Sequence, residues 1–270
     1  MGKLDFLSSI IPQWAFGSPA KEVQKCPVSH SSSSDASQCP AFSGKALPAD
    51  AFTPSSTTNS TKNHLPASFI VDPSIIDTDD LSGRLSGDLL VASPYTEKNH
   101  LLDLTTLSRP NQLLAKALTI MNATSGNYAN VSYEKAFNWG EILIALQKLS
   151  KKEGYAFPRS EFYVIVFRSR LPFDANREHL GKLDEDAHEE AVVSGQLLKY
   201  WFGTPHPDSG RNLATCIWRH RGDAKIGGGG PGHVRAMEAV RNIYLEWRVE
   251  RLKLIVEDDA SEWRIEDWVD

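Results

Sequence analysis

Cysteine, methionine, long apolar runs and surplus positive charge are all scarce in this chain, and each scarcity removes a class of protein. There are 3 cysteines and 3 methionines in 270 residues. Cys26, Cys39 and Cys216 do not make a disulfide framework, the last lying inside an apolar, strand-like run, so a reducing compartment is expected. No stretch approaches the roughly 18 apolar residues that span a bilayer. Met1 to Phe16 is interrupted by Asp5 and Pro12, which argues against a secretory signal, and Phe6 stands where a myristoylation motif needs Ser or Thr. These missing signals point to a cytoplasmic, or more broadly intracellular, protein, with mitochondrion and nucleus both left open. With Lys+Arg 29 against Asp+Glu 34, the net charge of -5 gives no general field for nucleic acid.

What is present is concentrated in the C-terminal half, where the 41% hydrophobic content can build a core. Residues 1–64 are rich in Ser, Pro, Ala and Thr without an apolar period, which predicts a disordered tail. Residues 65–110 alternate short apolar pieces with Pro and Asp and read as an irregular connecting segment, and 111–270 as one α+β domain. Leu113, Leu114, Ala117 and Leu118 share a helical face, and a second packing helix is expected from Tyr133 to Glu153. Glu161 to Arg168 reads as a strand buried on both faces. It is followed by a helix from about Asp184 to Ser194 and strands over Leu197–Phe202 and Asn212–Arg219. A Gly-rich turn, a helix from Pro231 to Trp247 and a strand over Glu250–Glu257 complete the series, with an edge strand from Glu262 to Trp268 as an optional addition. The order βαββαβ predicts a ferredoxin-like antiparallel sheet with helices on one face, preceded by two packing helices and the tail.

Three runs carry a family resemblance: Lys199 to Gly203, Arg211 to Arg219 and Trp263 to Trp268. From Leu101 onward the chain resembles a fungal family of uncharacterised proteins, which implies a fungal source and no assigned activity or catalytic residue. The strand, helix and Cys-Ile-Trp-Arg pattern is also similar to monooxygenase-like domains of the dimeric α+β barrel type. That likeness implies a homodimer and a small-molecule cavity between sheet and helices.

Candidate site residues follow from alternation. Ala214, Cys216, Trp218 and His220 share a strand parity, so Trp218 could line a pocket with His220 as general base, unless His220 is a solvated strand end. His188 sits one turn after Asp184 in an acidic stretch suited to proton transfer or to a metal site, or to a helix start that complements the dipole. Tyr200 and Trp218 are candidate ligand contacts. His233 opens a helix after Gly227 to Gly230, a geometry that can hold an anion, although neither nucleotide fingerprint is met. Arg168 continues the central strand and, if it lies under the helices, must find a partner, which a carboxylate ligand or a nearby acid of the protein would supply; simple exposure is the alternative. No metal-ligand spacing appears. Cys26-Pro27 and Cys39-Pro40 resemble haem-responsive motifs, with His30 as a second candidate ligand, so haem is the one cofactor the sequence suggests.

Three functional classes remain open on the sequence. One is a small-molecule-binding or small-molecule-converting domain built on the cavity. The second is a non-catalytic interaction protein presenting Trp201, Trp247, Trp263 and Trp268 as a dimer or partner surface. The third is haem-responsive regulation through the tail.

Overall fold

A computed structural model describes residues 85–194 and 196–269. The tail over 1–64, with its Cys26 and Cys39 haem reading, lies outside the described residues, as does the first part of the connecting segment.

The described chain opens with β1 (Leu85–Ser86), β2 (Leu89–Leu90) and β3 (Leu102–Asp103), a small antiparallel meander. Helices α1 (Arg109–Ala117), α2 (Tyr133–Ala136) and α3 (Trp139–Lys152) follow. The single helix expected from Tyr133 splits because Phe137 turns extended (φ -130, ψ 160) to bury its ring, while the Asn138 side chain bonds Asn122 N and Ile120 O. The main sheet contains β4 (Ser160–Arg170), β5 (Leu197–Phe202), β6 (Arg211–Trp218), β7 (Glu246–Val256) and β8 (Trp263–Asp267). Its order is β5-β6-β4-β7-β8 with every neighbour antiparallel. Helix α4 (Arg177–Ser194) joins β4 to β5, and α5 (Arg221–Gly227) and α6 (Pro231–Ile243) join β6 to β7.

The central strand is covered on both faces, as its unbroken apolar run requires. Phe162, Val164 and Val166 pack with Leu213, Ile217, Leu252 and Leu254 against Leu113, Leu114, Ile142 and Leu146 of α1 and α3. Tyr163 and Ile165 face the other way, with Tyr200, Cys216 and Trp218, toward Ala191 of α4 and Ala224 of α5. Helices therefore lie on both faces of the sheet, because the two packing helices cover the face the sequence left open.

Three boundaries also move. Helix α4 begins at Arg177, so Asp184 is an interior residue and not part of a helix start. A seven-residue helix, α5, stands where a turn was expected. Trp247 belongs to β7, opposite Ser169, instead of ending α6. Gly232 is the one buried residue of α6, which packs on α4 and leaves room between itself and the sheet.

Candidate functional site

Between α4, α6 and the sheet lies a cavity of about 200 Å³. Its helical wall is one stripe of α4, formed by Arg177, Leu180, Asp184, Ala187, His188 and Ala191 at the three-and-four spacing that brings side chains onto one face. Its floor is the cavity-side parity of the sheet, with Phe167 and Ser169 from β4, Tyr200 and Phe202 from β5, and Ala214, Cys216 and Trp218 from β6. Met237 and Val240 of α6 close the top. Aliphatic and aromatic carbon predominates, with a few polar groups gathered at the two ends, the usual composition of a small-molecule site.

At one end the polar groups converge. Tyr200 donates to Asp184 Oδ1 at 2.5 Å and Tyr95 donates to Asp184 Oδ2 at 2.6 Å, so one carboxyl holds two phenols. His188 is buried and its Nδ1 lies 2.9 Å from His100 Nδ1, His100 being buried as well. The Tyr95 ring stacks on His100 with centroids 4.8 Å apart and lies 5.0 Å from His188. The connecting segment brings these partners in. Tyr200 N, on the exposed edge of β5, bonds Ala92 O, and the short helix Lys98–His100 packs on α4.

Burial sets the protonation states. Loss of solvent raises the Asp184 carboxyl above its ordinary value, opposed by the hydrogen bonds from Tyr200 and Tyr95. Burial, reinforced by Asp184, raises both phenols, which stay protonated and donate. His188 is lowered to about 3, by burial first and then by His100 and His233, so it is neutral at physiological pH. Burial raises the Cys216 thiol far enough that it is no nucleophile at neutral pH.

Only one Nδ1 can donate between the two rings, so the tautomer of one sets that of the other. Glu185 Oε1 lies 3.9 Å from His100 Nε2, an ion-pair distance too long for a hydrogen bond. With His188 donating from Nδ1, its Nε2 carries a lone pair, and the Tyr200 oxygen is a second acceptor.

Of the residues singled out in the sequence, His188, Tyr200, Trp218 and His233 line this cavity. His220 and Arg168 do not. Strand β6 ends at Trp218, so its alternation stops short of His220, which precedes α5, is 57% exposed and bonds Asp223 Oδ2 at 3.0 Å. Arg168 has the opposite parity and points to the other face, where it bonds Glu250 Oε1 at 2.7 Å and Ala129 O at 2.8 Å. The anion reading of the Gly-rich loop meets an internal carboxylate. Glu190 accepts from Gly232 N at 2.6 Å and His233 N at 3.1 Å, taking the donors that start α6. Each tryptophan proposed for a partner surface packs on an aromatic ring of its own chain: Trp201 on Phe137, Trp247 on Phe167, Trp263 on Trp139 and Trp268 on Tyr163. Among the described residues no group of His, Cys, Asp and Glu is arranged to hold a metal ion.

Tyr95 and His100 were missed, since both lie in a segment without periodicity and meet α4 only after about 90 residues of intervening chain. Asp184 was visible, but only as a charge near an assumed helix start.

Fold and cavity together define an α+β protein with a mixed helical cover on one antiparallel sheet. The chain belongs to the PB2B2.08-like family, whose model matches residues 91–267 and so spans the whole cavity. The UPF0643 protein PB2B2.08 of Schizosaccharomyces pombe is 37% identical over 195 residues, 70% of this chain and 89% of that protein. Among solved structures, Rv0793 of Mycobacterium tuberculosis matches 34% of this chain and 92% of its own at 16% identity and a TM-score of 0.30. A Nitrosomonas europaea protein named as a candidate antibiotic biosynthesis monooxygenase matches 40% and 90% at 14% identity and a TM-score of 0.29. At those scores neither structure carries an argument about this chain. Among the described residues no helix is long and apolar enough to cross a membrane.

Proposed function

We propose that the domain binds a small, largely apolar molecule in the cavity under α4 and α6, with neutral His188 as hydrogen-bond acceptor and Tyr200 as orienting group. The observation that carries this is the convergence of Tyr200, Asp184 and the neutral His188 on one end of an otherwise apolar cavity. A ferredoxin-like core is part of the same reading. It is supported by the order β7-β4-β6-β5 within the sheet, with α4 and α6 as the two crossovers and β8 as an added edge.

Size limits the ligand. An apolar cavity of about 150 Å³ takes benzene, so about 200 Å³ suits a single substituted ring or its aliphatic equivalent. The two acceptors favour a ligand that donates a hydrogen bond, such as a phenol or an enol, which keeps its proton because burial disfavours the charged form of His188.

Trp218 and Trp247 in the wall provide the readout. Titration of the full chain with 4-methylphenol is expected to change tryptophan fluorescence and raise the melting temperature, and Ala236→Trp, which fills the cavity, is expected to abolish both responses. No response from the unaltered protein would overturn the reading.

A further inference from the structure

The proposed cavity has a second polar end, and its chemistry is the opposite of the first. Ser169 and Trp247 are register partners on β4 and β7, and Arg177 opens α4 just after β4 leaves the sheet; all three line the cavity. Its side chains supply the Trp247 indole N–H, the Arg177 guanidinium and the Ser169 hydroxyl as donors, the hydroxyl being able to accept as well. Trp247 Nε1 is buried with no partner among the described residues. Among the described residues neither the half-buried Ser169 hydroxyl nor the half-buried Arg177 guanidinium has a hydrogen-bond or ion-pair acceptor, whereas Arg168 pairs with Glu250, and Arg170 and Arg211 with Glu246.

Unpaired donors gathered in one place call for an acceptor. A buried indole N–H without a partner forfeits the hydrogen bond it made with water, and an arginine on a low-dielectric wall binds a carboxylate through paired, charge-assisted hydrogen bonds. Phe167 and Tyr244 flank Trp247 with ring centroids 5.4 and 5.0 Å away, giving this end aromatic sides that a planar body can pack against.

We infer that the ligand is a small amphipathic carboxylic acid, its carboxylate at Arg177, Ser169 and Trp247 and its hydroxyl at Tyr200 and His188. The inference rests on the proposed small-molecule reading and adds the second pole. The lengths agree. Arg177 and Asp184 lie two turns apart on α4, about 10 Å along the axis, and an arginine side chain together with a para-substituted ring covers that distance. The polarity also sets orientation, since a carboxylate at the opposite end would face Asp184 and two hydrogen-bond acceptors.

The test compares 4-hydroxybenzoate with 4-methylphenol, which differ at the ring position meant for Arg177. Titrations of the full chain, followed by calorimetry and tryptophan fluorescence, are expected to show 4-hydroxybenzoate binding about tenfold tighter, the size of one charge-assisted hydrogen bond. Arg177→Gln is expected to erase the preference, Arg177→Lys to keep part of it, and added salt to shrink it. Binding of 4-methylphenol with no preference for the acid, or a preference that survives Arg177→Gln, would overturn this inference and leave the proposed small-molecule site standing. Failure of both probes to bind would overturn the two together.

Discussion

The two faces of the sheet differ in what fills them. Toward α1 and α3 the side chains are apolar and closely buried, with Phe162, Leu213, Ile217 and Leu254 all at 2% exposure or less. There the Tyr133 hydroxyl meets Thr215 Oγ1 at 2.8 Å. Toward α4 and α6 the sheet presents Tyr200, Cys216 and Trp218 beneath a helix with a single buried residue, and the space between stays open. Close packing gives one face the bulk of the apolar burial that stabilises the fold. The other gives up some of that burial and holds neutral imidazole, phenols and carboxyl out of water instead. Stability and chemistry therefore sit on opposite sides of the same strands.

The largest effect that would test this division is Phe162→Ala. Its ring is 2% exposed in the filled face, and truncation is expected to lower unfolding free energy by about 3–5 kcal/mol. Urea denaturation measures the loss, and 4-methylphenol affinity under native conditions should stay close to that of the unaltered protein. A large change in affinity at unchanged fold would mean that the faces are coupled. Next in size is Gly227→Ala. A Cβ there would overlap the Trp218 ring and come within 3.4 Å of Ala191 Cα. The ring must shift to make room, at about 1–3 kcal/mol. Here the affinity should fall along with the stability, and retention of full affinity would contradict the assignment of Trp218 to the cavity wall.

The elements legible in the sequence were those that answer to local pattern. The run Phe162 to Phe167 is apolar on both parities because both faces of β4 are covered, and Leu252, Leu254 and Val256 alternate because they enter the filled face together. Features set by tertiary contact were not legible. The helical period of α6 runs on into Tyr244 and Leu245, and nothing local says that Trp247 pairs across the sheet with Ser169. Likewise Leu180, Asp184, His188 and Ala191 form a visible stripe, but its meaning depends on Tyr95 and His100, which a nonperiodic segment delivers along the edge of β5. His220 and Arg168 misled for a matching reason. Alternation assigns a side of the sheet only while the strand lasts, and it does not say which side holds the space.

The effect most specific to the cavity face is pH dependence. The His188 imidazole takes up a proton near 6.5 in the unfolded chain but only at about 3 in the folded one. Between those values the unfolded chain binds more protons, so stability present at neutral pH is lost as the pH falls from about 6.5 toward 3. Asp184 works in the opposite sense. Its raised carboxyl keeps a proton that the unfolded chain has already released, so between the ordinary carboxyl range and its raised value stability grows as the pH falls. Urea denaturation across this range should therefore show a shallower acid limb for His188→Gln and a steeper one for Asp184→Asn. Tyr133→Phe, on the filled face, should lose about 1 kcal/mol at every pH, the worth of one buried hydrogen bond, with the slope unaltered. If His188→Gln left the acid limb as steep as before, the imidazole would not be the group that unfolding protonates, and the account of a neutral acceptor in the cavity would fail with it.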